Sequence, residues 1–375
     1  MQILISAGEA SGEMYGAQLI EALRRQNPSL TFFGAGGERM RSAGCDIIVD
    51  AKNLAVVGIT EIVSHLPKIL DLYKKLIRTA HERRPALAVV IDAPAFNWRV
   101  ARQMRKRGIP VVYYVCPQFW AWRQGRVKLL RKYVNKALVI FPFEEKFYRD
   151  RGVDTTFVGH PLADLPMPSI AREEYARQHA LDASKPWITL MPGSRRKEVR
   201  MNLPTILESA DRLSLSYEFL LPVARTLEPS FLRALIGGRK IHLLAEALPA
   251  LRLSRAAIVA SGTATVEAAL METPFVMVYR VSPITYALGK PRIKVSHYAM
   301  ANLIAGEEVV PELVQHKFTA ENVVLELGKI IPDGSVRDEM IAGLKSVRRK
   351  LQRPDGVNNP ADAAAEIILS LLGKS

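Results

Sequence analysis

Two loops of small, polar and basic residues hold the clearest candidates for chemistry in this sequence. In the first loop, Gly193, Ser194 and Arg195 follow an apolar run and precede helical sequence. Glycine, a hydroxyl, exposed amides and a cation at the start of a helix favour phosphate binding, because the helix dipole adds to the attraction. This loop is therefore predicted to bind a phosphate group. The alternative is a basic loop without function.

The second loop repeats this arrangement later in the chain. Ser261, Gly262 and Thr263 again lie between a strand-like run and a helical one, and their small donors suit phosphate oxygens. Glu267 stands four residues after Thr263, one helical turn on, where its carboxylate would accept hydrogen bonds from two ribose hydroxyls. The alternative for Glu267 is an ordinary first-turn glutamate that the helix dipole favours.

Asp92 is the candidate general base. It directly follows the apolar run Leu87–Ile91, which places it at the carboxyl end of a predicted buried strand, where ligands of such sheets bind. Burial beside apolar residues would raise its pKa toward the working range, so that it accepts a proton from a sugar hydroxyl. The alternative is an aspartate that caps the next helix or turn.

A glycine-containing loop follows the first strand and carries Gly8 and Ser11. The carboxylates of Glu9 and Glu13 would repel a pyrophosphate, and the Gly-x-Gly-x-x-Gly spacing is absent, which disfavours nicotinamide and flavin enzymes. The small residues would instead let a substrate or a facing backbone approach closely. The alternative is a tight strand-to-helix turn capped by Ser11. The glycines at 34–37 are predicted to form a turn.

Alternating strand-like and helix-like runs must position these loops. The strand-like runs are short and apolar, as buried parallel strands are, and amphipathic helical patterns lie between them. In chain order the predicted strands are Gln2–Ser6, Leu87–Ile91, Val111–Val115, Ala137–Ile140, Trp187–Met191, Tyr217–Leu221, Ala257–Ala260 and Phe275–Tyr279, and a helix is predicted over Thr263–Met271. The pattern predicts an α/β fold with two doubly wound domains that face a cleft.

The predicted domain boundary lies in a proline-rich connector. Residues 159–168 contain three prolines, which suits a linker and not the interior of a helix or strand. We therefore expect an N-terminal domain over 1–165, a C-terminal domain over 166–353, and a terminal segment over 354–375. That segment carries a predicted helix, Asn359–Leu372, whose packing partner the sequence leaves open.

Composition narrows the class of protein further. The chain of 375 residues has a net charge of +15, which points to nucleic acid, an anionic membrane or a phosphorylated substrate. The alternative is a basic excess that only aids solubility. The basic run Arg102–Arg107 lacks aromatic interleaving and any binding motif, so nucleic-acid binding is disfavoured. Cys45 and Cys116 make no disulfide framework, and no Cys/His metal spacing or Asp-x-Asp motif occurs, so no metal is expected.

The N-terminus and the longest uncharged stretch bear on location. Gln2–Ser6 follows Met1 without a basic region or a long apolar region, so no secretory signal is expected. The longest stretch without charge, Gly108–Trp122, is 15 residues with two prolines, too short and too broken to span a bilayer. A cytoplasmic location is predicted.

Seven motifs in this order resemble the lipid-A-disaccharide synthase family over nearly the whole chain. They are Ala7 to Gly12 with Gly16, Val56 to Glu61, Ile91 to Pro94, Phe119 to Arg123, Val158 to Pro161, Pro192 to Arg195, and Ser261 to Ala264 with Glu267. The resemblance implies a GT-B fold of two Rossmann-like domains and an inverting glycosyltransferase that uses neither metal nor cofactor. It also implies transfer from UDP-2,3-diacylglucosamine to 2,3-diacylglucosamine 1-phosphate (lipid X), forming a β-1,6 disaccharide and UDP.

The family's functional residues carry over to positions that match its motifs. Its essential aspartate falls on Asp92, which would deprotonate the 6-hydroxyl of the acceptor, and its essential arginine falls on Arg195, which would stabilise charge on the diphosphate. The expected substrate-binding residues are Ser194, Ser261, Gly262, Thr263, Glu267, Asn302 and Gln315, to which we add Gly8 and Ser11. The alternative is another GT-B enzyme, such as a UDP-GlcNAc epimerase or a transferase with a polyprenyl-linked acceptor.

The sequence departs from the family pattern at three positions. Ala95 stands where the family commonly has a second carboxylate, Ala301 where it has proline, and Gln118 where it has serine. The change at Ala95 leaves Asp92 as the sole candidate base in its motif. How the acceptor is positioned therefore stays open at this stage.

Acylated substrates imply contact with the cytoplasmic face of the inner membrane. The apolar run from Val56 to Leu70 is followed by Lys74, Lys75 and Arg78, a combination suited to an anionic interface. The alternative for this run is plain core packing of one helix face. Trp120 and Trp122 are likewise open to an interfacial or a core location. The expected location is peripheral to the membrane, and the oligomeric state stays open.

Overall fold

The computed structural model describes residues 1–8, 10–53, 59–163, 167–213, 216–353 and 359–373. For residues 10, 53 and 59–66 it describes the backbone but not the side chains. The chain divides into two compact units. The first is Met1–Asp164 together with Leu351–Ser375, and the second is Leu165–Lys350. The terminal residues Leu351–Ser375 are thus grouped with the first unit.

The first unit is built on a parallel sheet of seven described strands. They are β1 (Gln2–Ala7), β2 (Thr31–Gly36), β3 (Cys45–Asp50), β4 (Leu87–Ile91), β5 (Val111–Tyr114), β6 (Lys136–Val139) and β7 (Thr155–Phe157), in the order β3-β2-β1-β4-β5-β6-β7. In the register of the central strands, Ser6 of β1 lies opposite Val90 of β4. Every residue of β4 is buried, as expected for a strand covered on both faces.

Helices cover this sheet. The described helices of this part are α1 (Ala10–Gln26), α2 (Glu38–Ser42), α3 (Ile59–Arg83), α4 (Pro94–Lys106), α5 (Phe119–Trp122), α6 (Val127–Tyr133) and α7 (Pro142–Arg149). Side chains of α4 such as Val100 and Met104 pack into the same core as Leu4 and Val90 of the sheet. This packing holds the start of α4 against the end of β4.

The second unit contains a parallel sheet of six described strands and its helices. The strands are β8 (Trp187–Met191), β9 (Glu218–Pro222), β10 (Ile241–Leu244), β11 (Ala256–Ala260), β12 (Phe275–Tyr279) and β13 (Glu312–Val314), in the order β10-β9-β8-β11-β12-β13. The helices are α8 (Arg172–His179), α9 (Arg196–Leu213), α10 (Pro229–Ile236), α11 (Ala247–Leu253), α12 (Ala264–Leu270), α13 (Pro283–Gly289), α14 (Met300–Ala305), α15 (Ala320–Ile330) and α16 (Ser335–Leu351).

The terminal helix α17 (Pro360–Leu372) packs on α1 of the first unit. Its buried face includes Ala364 and Ile368, and Asp362 accepts a hydrogen bond from Arg25 Nη2 at 2.6 Å. The sequence predicts this helix to within one residue but leaves its partner open, because a face rich in alanine fits many surfaces.

The prediction of a turn at the glycines 34–37 is wrong for Gly34 and Gly36, which lie in β2. A Cβ atom at Gly34 would be 1.8 Å from the carbonyl oxygen of Ile5 on β1. The glycine therefore permits the close approach of two strands. Four further strands, β3, β7, β10 and β13, were absent from the prediction because they are short or lie toward the edges of the sheets.

Candidate active site

The turn between β4 and α4 has an unusual backbone. Asp92 and Ala93 are consecutive non-glycine residues with positive φ, 46° and 44°. This conformation costs roughly 1–2 kcal/mol per residue for an L-amino acid. Ala93 is the N-cap of α4 and makes no side-chain cap. The N-cap position of α4 is thus Ala93 and not Asp92.

A buried asparagine holds this turn in place. Asn97 on α4 has no solvent exposure, and its Nδ2 lies within hydrogen-bond distance of the carbonyl oxygens of Ser6 (3.0 Å), Ile91 (2.8 Å) and Asp92 (3.0 Å). Its Oδ1 accepts a hydrogen bond from the buried Ser6 hydroxyl at 2.7 Å. One side chain thereby ties the ends of β1 and β4 to the backbone of the candidate base.

Tyr113 supports the same carbonyl group from β5. Its hydroxyl donates to the carbonyl oxygen of Asp92 at 2.8 Å. Burial raises the pKa of the Tyr113 phenol well above its usual value, so the hydroxyl keeps its proton and remains a donor. Asp92 is therefore positioned through its backbone by two buried side chains that the motif analysis did not identify.

Gly8 directly follows the first strand and lies beside this turn. A Cβ atom at Gly8 would lie 2.7 Å from Cβ of Ala93, far closer than ordinary contact. The loop after β1 therefore approaches the loop after β4 so closely that only glycine fits. Ser11 is exposed and lies within α1, which begins at Ala10, so it does not cap the helix as the alternative reading had it.

In the second unit, Glu198 already occupies the amides of the first predicted phosphate loop. Its Oε2 accepts hydrogen bonds from the backbone N–H groups of Ser194 (3.2 Å) and Arg195 (3.3 Å). Its Oε1 pairs with Arg195 Nη1 at 3.0 Å, while the Arg195 side chain is 77% exposed. A carboxylate thus shows that these amides and this guanidinium together can bind an anion.

The loop after β11 presents an open surface. Gly262 has a φ of 139°, and a Cβ atom there would meet nothing within 4 Å. Ser261 donates its hydroxyl to the carbonyl oxygen of Tyr298 at 2.8 Å, while Thr263 is exposed and caps α12 without a side-chain hydrogen bond. Burial raises the pKa of the Glu267 carboxyl one turn further on.

Asn302 has a role that the motif did not indicate. It is fully buried, and its Oδ1 accepts hydrogen bonds from the N–H groups of Val309 and Val310, both at 2.9 Å. Its Nδ2 donates to the carbonyl oxygen of Val310 (2.8 Å) and to Oε1 of Glu312 (2.9 Å). These bonds engage both ends of the amide, which favours an indirect role for Asn302 in substrate binding.

Gln315 lies at the end of β13 with a φ of 55°. Its side chain bonds the backbone of Val281 in both directions, with Nε2 to the carbonyl oxygen at 3.2 Å and the N–H of Val281 to Oε1 at 3.4 Å. The buried Asn202 forms a similar bridge, from the carbonyl oxygen of Pro192 (3.0 Å) to the N–H of Arg280 (2.9 Å). No sequence pattern marks Asn202, because it is an isolated asparagine in a helical pattern.

The strand order brings the predicted residues together in two groups. In the first unit, Gly8 and Asp92 follow the neighbouring strands β1 and β4. In the second unit, Arg195 follows β8, Gly262 follows the adjacent β11, and Gln315 follows β13 beyond β12. Each group lies at the carboxyl edge of its own sheet, which is the ligand-binding edge of such folds.

Two further motif residues, Trp120 and His160, are buried. Trp120 is buried and its Nε1 donates to Oε1 of Glu144 at 2.8 Å, whereas Trp122 is exposed with the Arg123 guanidinium 3.8 Å from its ring centre. Burial raises the pKa of Glu144 to about 8, although hydrogen bonds from Trp120 and the backbone oppose the shift. Burial lowers the pKa of His160 to about 3, so this histidine is neutral at physiological pH.

Most of the predicted membrane run lies outside the description. Residues 54–58 are not described, nor are the side chains up to residue 66, so its apolar face at Val57, Ile62 and Leu66 is untested. At the described end, Leu70 is exposed, as are Lys74 and Lys75. Within the described ranges, no helix is long and apolar enough to cross a bilayer.

Solved structures share this architecture. The chain is similar to the glycotransferase of kitacinnamycin, with a TM-score of 0.65, 13% identity and 98% of each chain covered. It is also similar to a UDP-GlcNAc 2-epimerase from Neisseria meningitidis, with a TM-score of 0.64, 13% identity and all of each chain covered. At this identity the likeness shows the fold alone, and the fold is GT-B.

The fold and the sequence relatives together define a GT-B glycosyltransferase. Residues 3–367 match the family described as lipid-A-disaccharide synthetase. The lipid-A-disaccharide synthase of Koribacter versatilis is 51% identical over 99% of this chain and 98% of its own length. That of Geobacter sulfurreducens is 40% identical over 100% and 98%. The chain belongs to the lipid-A-disaccharide synthetase family.

Proposed function

We propose that the protein transfers 2,3-diacylglucosamine from UDP to the 6-hydroxyl of 2,3-diacylglucosamine 1-phosphate, releasing UDP. The observation that carries the proposal is the family match over residues 3–367, which includes the motifs around Asp92 and Arg195. Epimerases share the fold, so the fold cannot separate the two activities. The sequence relatives favour the transferase.

In the proposed reaction, Asp92 accepts the proton of the acceptor's 6-hydroxyl as that oxygen attacks C1 of the donor sugar. The C1–O bond to UDP breaks as the new bond forms on the opposite face, so the configuration at C1 inverts and no covalent intermediate arises. The backbone bonds from Asn97 and Tyr113 support this role, because they hold Asp92 before substrate arrives.

Arg195 and the loop amides would stabilise the negative charge that develops on the departing diphosphate. The anion-binding contacts of this loop with Glu198 support that role. To bind the diphosphate, the loop would exchange the Glu198 carboxylate for phosphate oxygens. Positioned donors of this kind typically lower a barrier by about 3–4 kcal/mol. Positive charge of the protein would thus do the work for which other enzymes use a metal.

The test is a mass-spectrometric assay of the purified protein with both acylated sugars. We expect the disaccharide and UDP from the wild type, and UDP release only when the acylated acceptor is present. Asp92→Asn keeps the shape of the side chain but removes the basic lone pair, so kcat should fall at least ~10²-fold with UDP affinity nearly unchanged.

Asp150→Asn is the matched control, because Asp150 is an exposed aspartate of the same unit, at the C-cap of α7, and its one ion pair among the described residues is with Lys146. It should keep wild-type turnover. Wild-type turnover by Asp92→Asn would remove Asp92 from the mechanism. Epimerisation of UDP-GlcNAc without acceptor would instead support the alternative enzyme class.

We also propose that the protein works at the anionic cytoplasmic surface of the inner membrane, because both substrates carry acyl chains. The exposed Leu70, Lys74 and Lys75 on α3 are consistent with such a contact. Replacing Val57, Ile62 and Leu66 by serine should weaken sedimentation with phosphatidylglycerol vesicles. A folded variant that sediments like the wild type would place the contact elsewhere.

A further inference from the structure

Helix α13 of the second unit has no buried residue. Its two large aliphatic side chains, Ile284 and Leu288, are 74% and 61% exposed, which puts them among the most exposed apolar side chains of the described part of the chain. Four residues separate them, so they project from the same face of the helix. A short helix that buries nothing and presents two aliphatic side chains is suited to a partner outside the unit.

A cluster of cations adjoins this apolar face. Lys290, Arg292 and Lys294 follow α13 and are all exposed. No aspartate or glutamate occurs in residues 273–306, so the cations have no acidic neighbour along the chain. Among the described residues, none of the three forms an ion pair with a carboxylate from another element either. The surface therefore combines exposed aliphatic groups with uncompensated positive charge.

Both ends of this segment are attached to residues of the predicted donor site. At one end, Gln315 bonds the backbone of Val281. At the other end, Ser261 donates to the carbonyl oxygen of Tyr298, whose N–H donates to the Glu312 carboxylate at 2.9 Å. The surface, which we define as Ile284, Leu288, Lys290, Arg292 and Lys294, thus extends from a segment whose two ends meet site residues.

We propose that this surface, which we name the α13 surface, docks the second unit on an anionic lipid bilayer. Ile284 and Leu288 would enter the boundary between headgroups and acyl chains, while the three cations contact anionic headgroups. A second copy of the chain fits this surface poorly, because an isologous contact would bring identical cations together on molecules of net charge +15. The contact is separate from the one predicted around residues 56–70.

The inference deepens the proposed function and rests on it in one respect. If the donor is an acylated sugar in the membrane, this lipid contact would place the donor site at the bilayer surface, because both ends of the segment that carries α13 bond residues of that site. Lipid binding by the surface can nonetheless be measured without any turnover. Failure of the proposed activity and failure of the lipid contact are therefore separate outcomes.

The experiment is sedimentation of the full chain with vesicles of phosphatidylcholine alone or with phosphatidylglycerol. Ile284→Ser/Leu288→Ser should weaken binding to the anionic vesicles at least ~10-fold, and so should Lys290→Gln/Arg292→Gln/Lys294→Gln. Wild-type binding should fall with added salt. The matched control is Leu325→Ser/Val336→Ser, which removes two exposed aliphatic side chains from α15 and α16 of the same unit and should bind like the wild type.

Turnover and molecular mass complete the test. With short-acyl substrates in solution, Ile284→Ser/Leu288→Ser should keep wild-type turnover, whereas turnover on vesicle-borne substrates should fall with binding. Circular dichroism should show an unchanged fold, because neither side chain is buried. Vesicle binding equal to that of the wild type in both variant sets would overturn the proposal. A mass that drops from dimer to monomer in light scattering would overturn it in favour of self-association.

Discussion

The close approach of Gly8 and Ala93 predicts that a substitution at position 8 impairs the enzyme and that a second substitution at position 93 restores it. In Gly8→Ala, the new Cβ would lie 2.7 Å from Cβ of Ala93, at least 0.7 Å short of the 3.4 Å at which ordinary contact begins. Overpacking of this kind costs about 1–3 kcal/mol in stability. Because Ala93 directly follows Asp92, the displaced turn also carries the candidate base away from its position.

A misplacement of about 1 Å in catalytic geometry costs up to ~10²-fold in rate. For a displacement of 0.7 Å we expect kcat of Gly8→Ala to fall ~10- to 100-fold. UDP affinity should be retained, since the phosphate loop belongs to the other unit. The second change, Ala93→Gly, removes the opposing methyl group, and glycine tolerates the φ of 44° at this position. The double variant should therefore recover most of the lost kcat.

The assay is steady-state turnover with both acylated sugars, run on all three variants, with circular dichroism to show that each is folded. Ala93→Gly alone should remain close to the wild type. If the double variant is as slow as Gly8→Ala, the small residue at position 8 serves the substrate and not the neighbouring turn. If Gly8→Ala itself has the kcat of the wild type, the close approach of Gly8 and Ala93 does not affect catalysis.

Three further predictions concern stability and charge. Asn97→Leu leaves the Ser6 hydroxyl and the buried carbonyl groups without partners, so urea unfolding should show that the free energy of unfolding falls by about 2–5 kcal/mol. Ser6→Ala should lower it by less, and equal losses in the two variants would refute the network. His160 has a pKa of about 3 in the folded protein against 6.5 in the unfolded chain, so the free energy of unfolding should fall as the pH drops below 6.5. Glu144 has a pKa of about 8 in the folded protein against 4.5 in the unfolded chain, so the free energy of unfolding should fall as the pH rises from 4.5 to 8. His160→Gln and Glu144→Gln should each flatten the corresponding arm of the pH–stability curve, and unchanged arms would refute the assignments. EDTA should leave activity intact while Arg195→Ala lowers it, and activity restored by Mg²⁺ after chelation would contradict the metal-free reading.

Local pattern was enough to predict the central strands and the loops that follow them. The runs at Leu87–Ile91 and Trp187–Met191 are strands with these bounds in the structure, because buried parallel strands require continuous apolar sequence. The α/β class is confirmed for the same reason. The family could also be recognised from the sequence, since its motifs are contiguous and lie in a fixed order.

Which residues support the site was decided by contacts between distant parts of the chain. Asn97 bonds Ser6, from which it is 91 residues away in the sequence, and Gly8 contacts Ala93 at a similar sequence separation. A local sequence pattern therefore predicts neither contact. The occupation of the phosphate loop by Glu198 depends on how the turn brings its carboxylate back onto the amides. Burial likewise decides the protonation of Glu144, whose first-turn position suggests an ordinary charged residue.

The sequence by itself thus determined the central strands, the loops that follow them and the family to which the chain belongs, because buried-strand and motif patterns depend on neighbours along the chain. The tertiary structure alone decided the support of Asp92, the strand at Gly34, the packing of α17 on α1 and the exposure of the α13 surface. The physical reason is that burial, close packing and hydrogen-bond completion are properties of the space around a residue, and that space is filled by residues far away in the sequence.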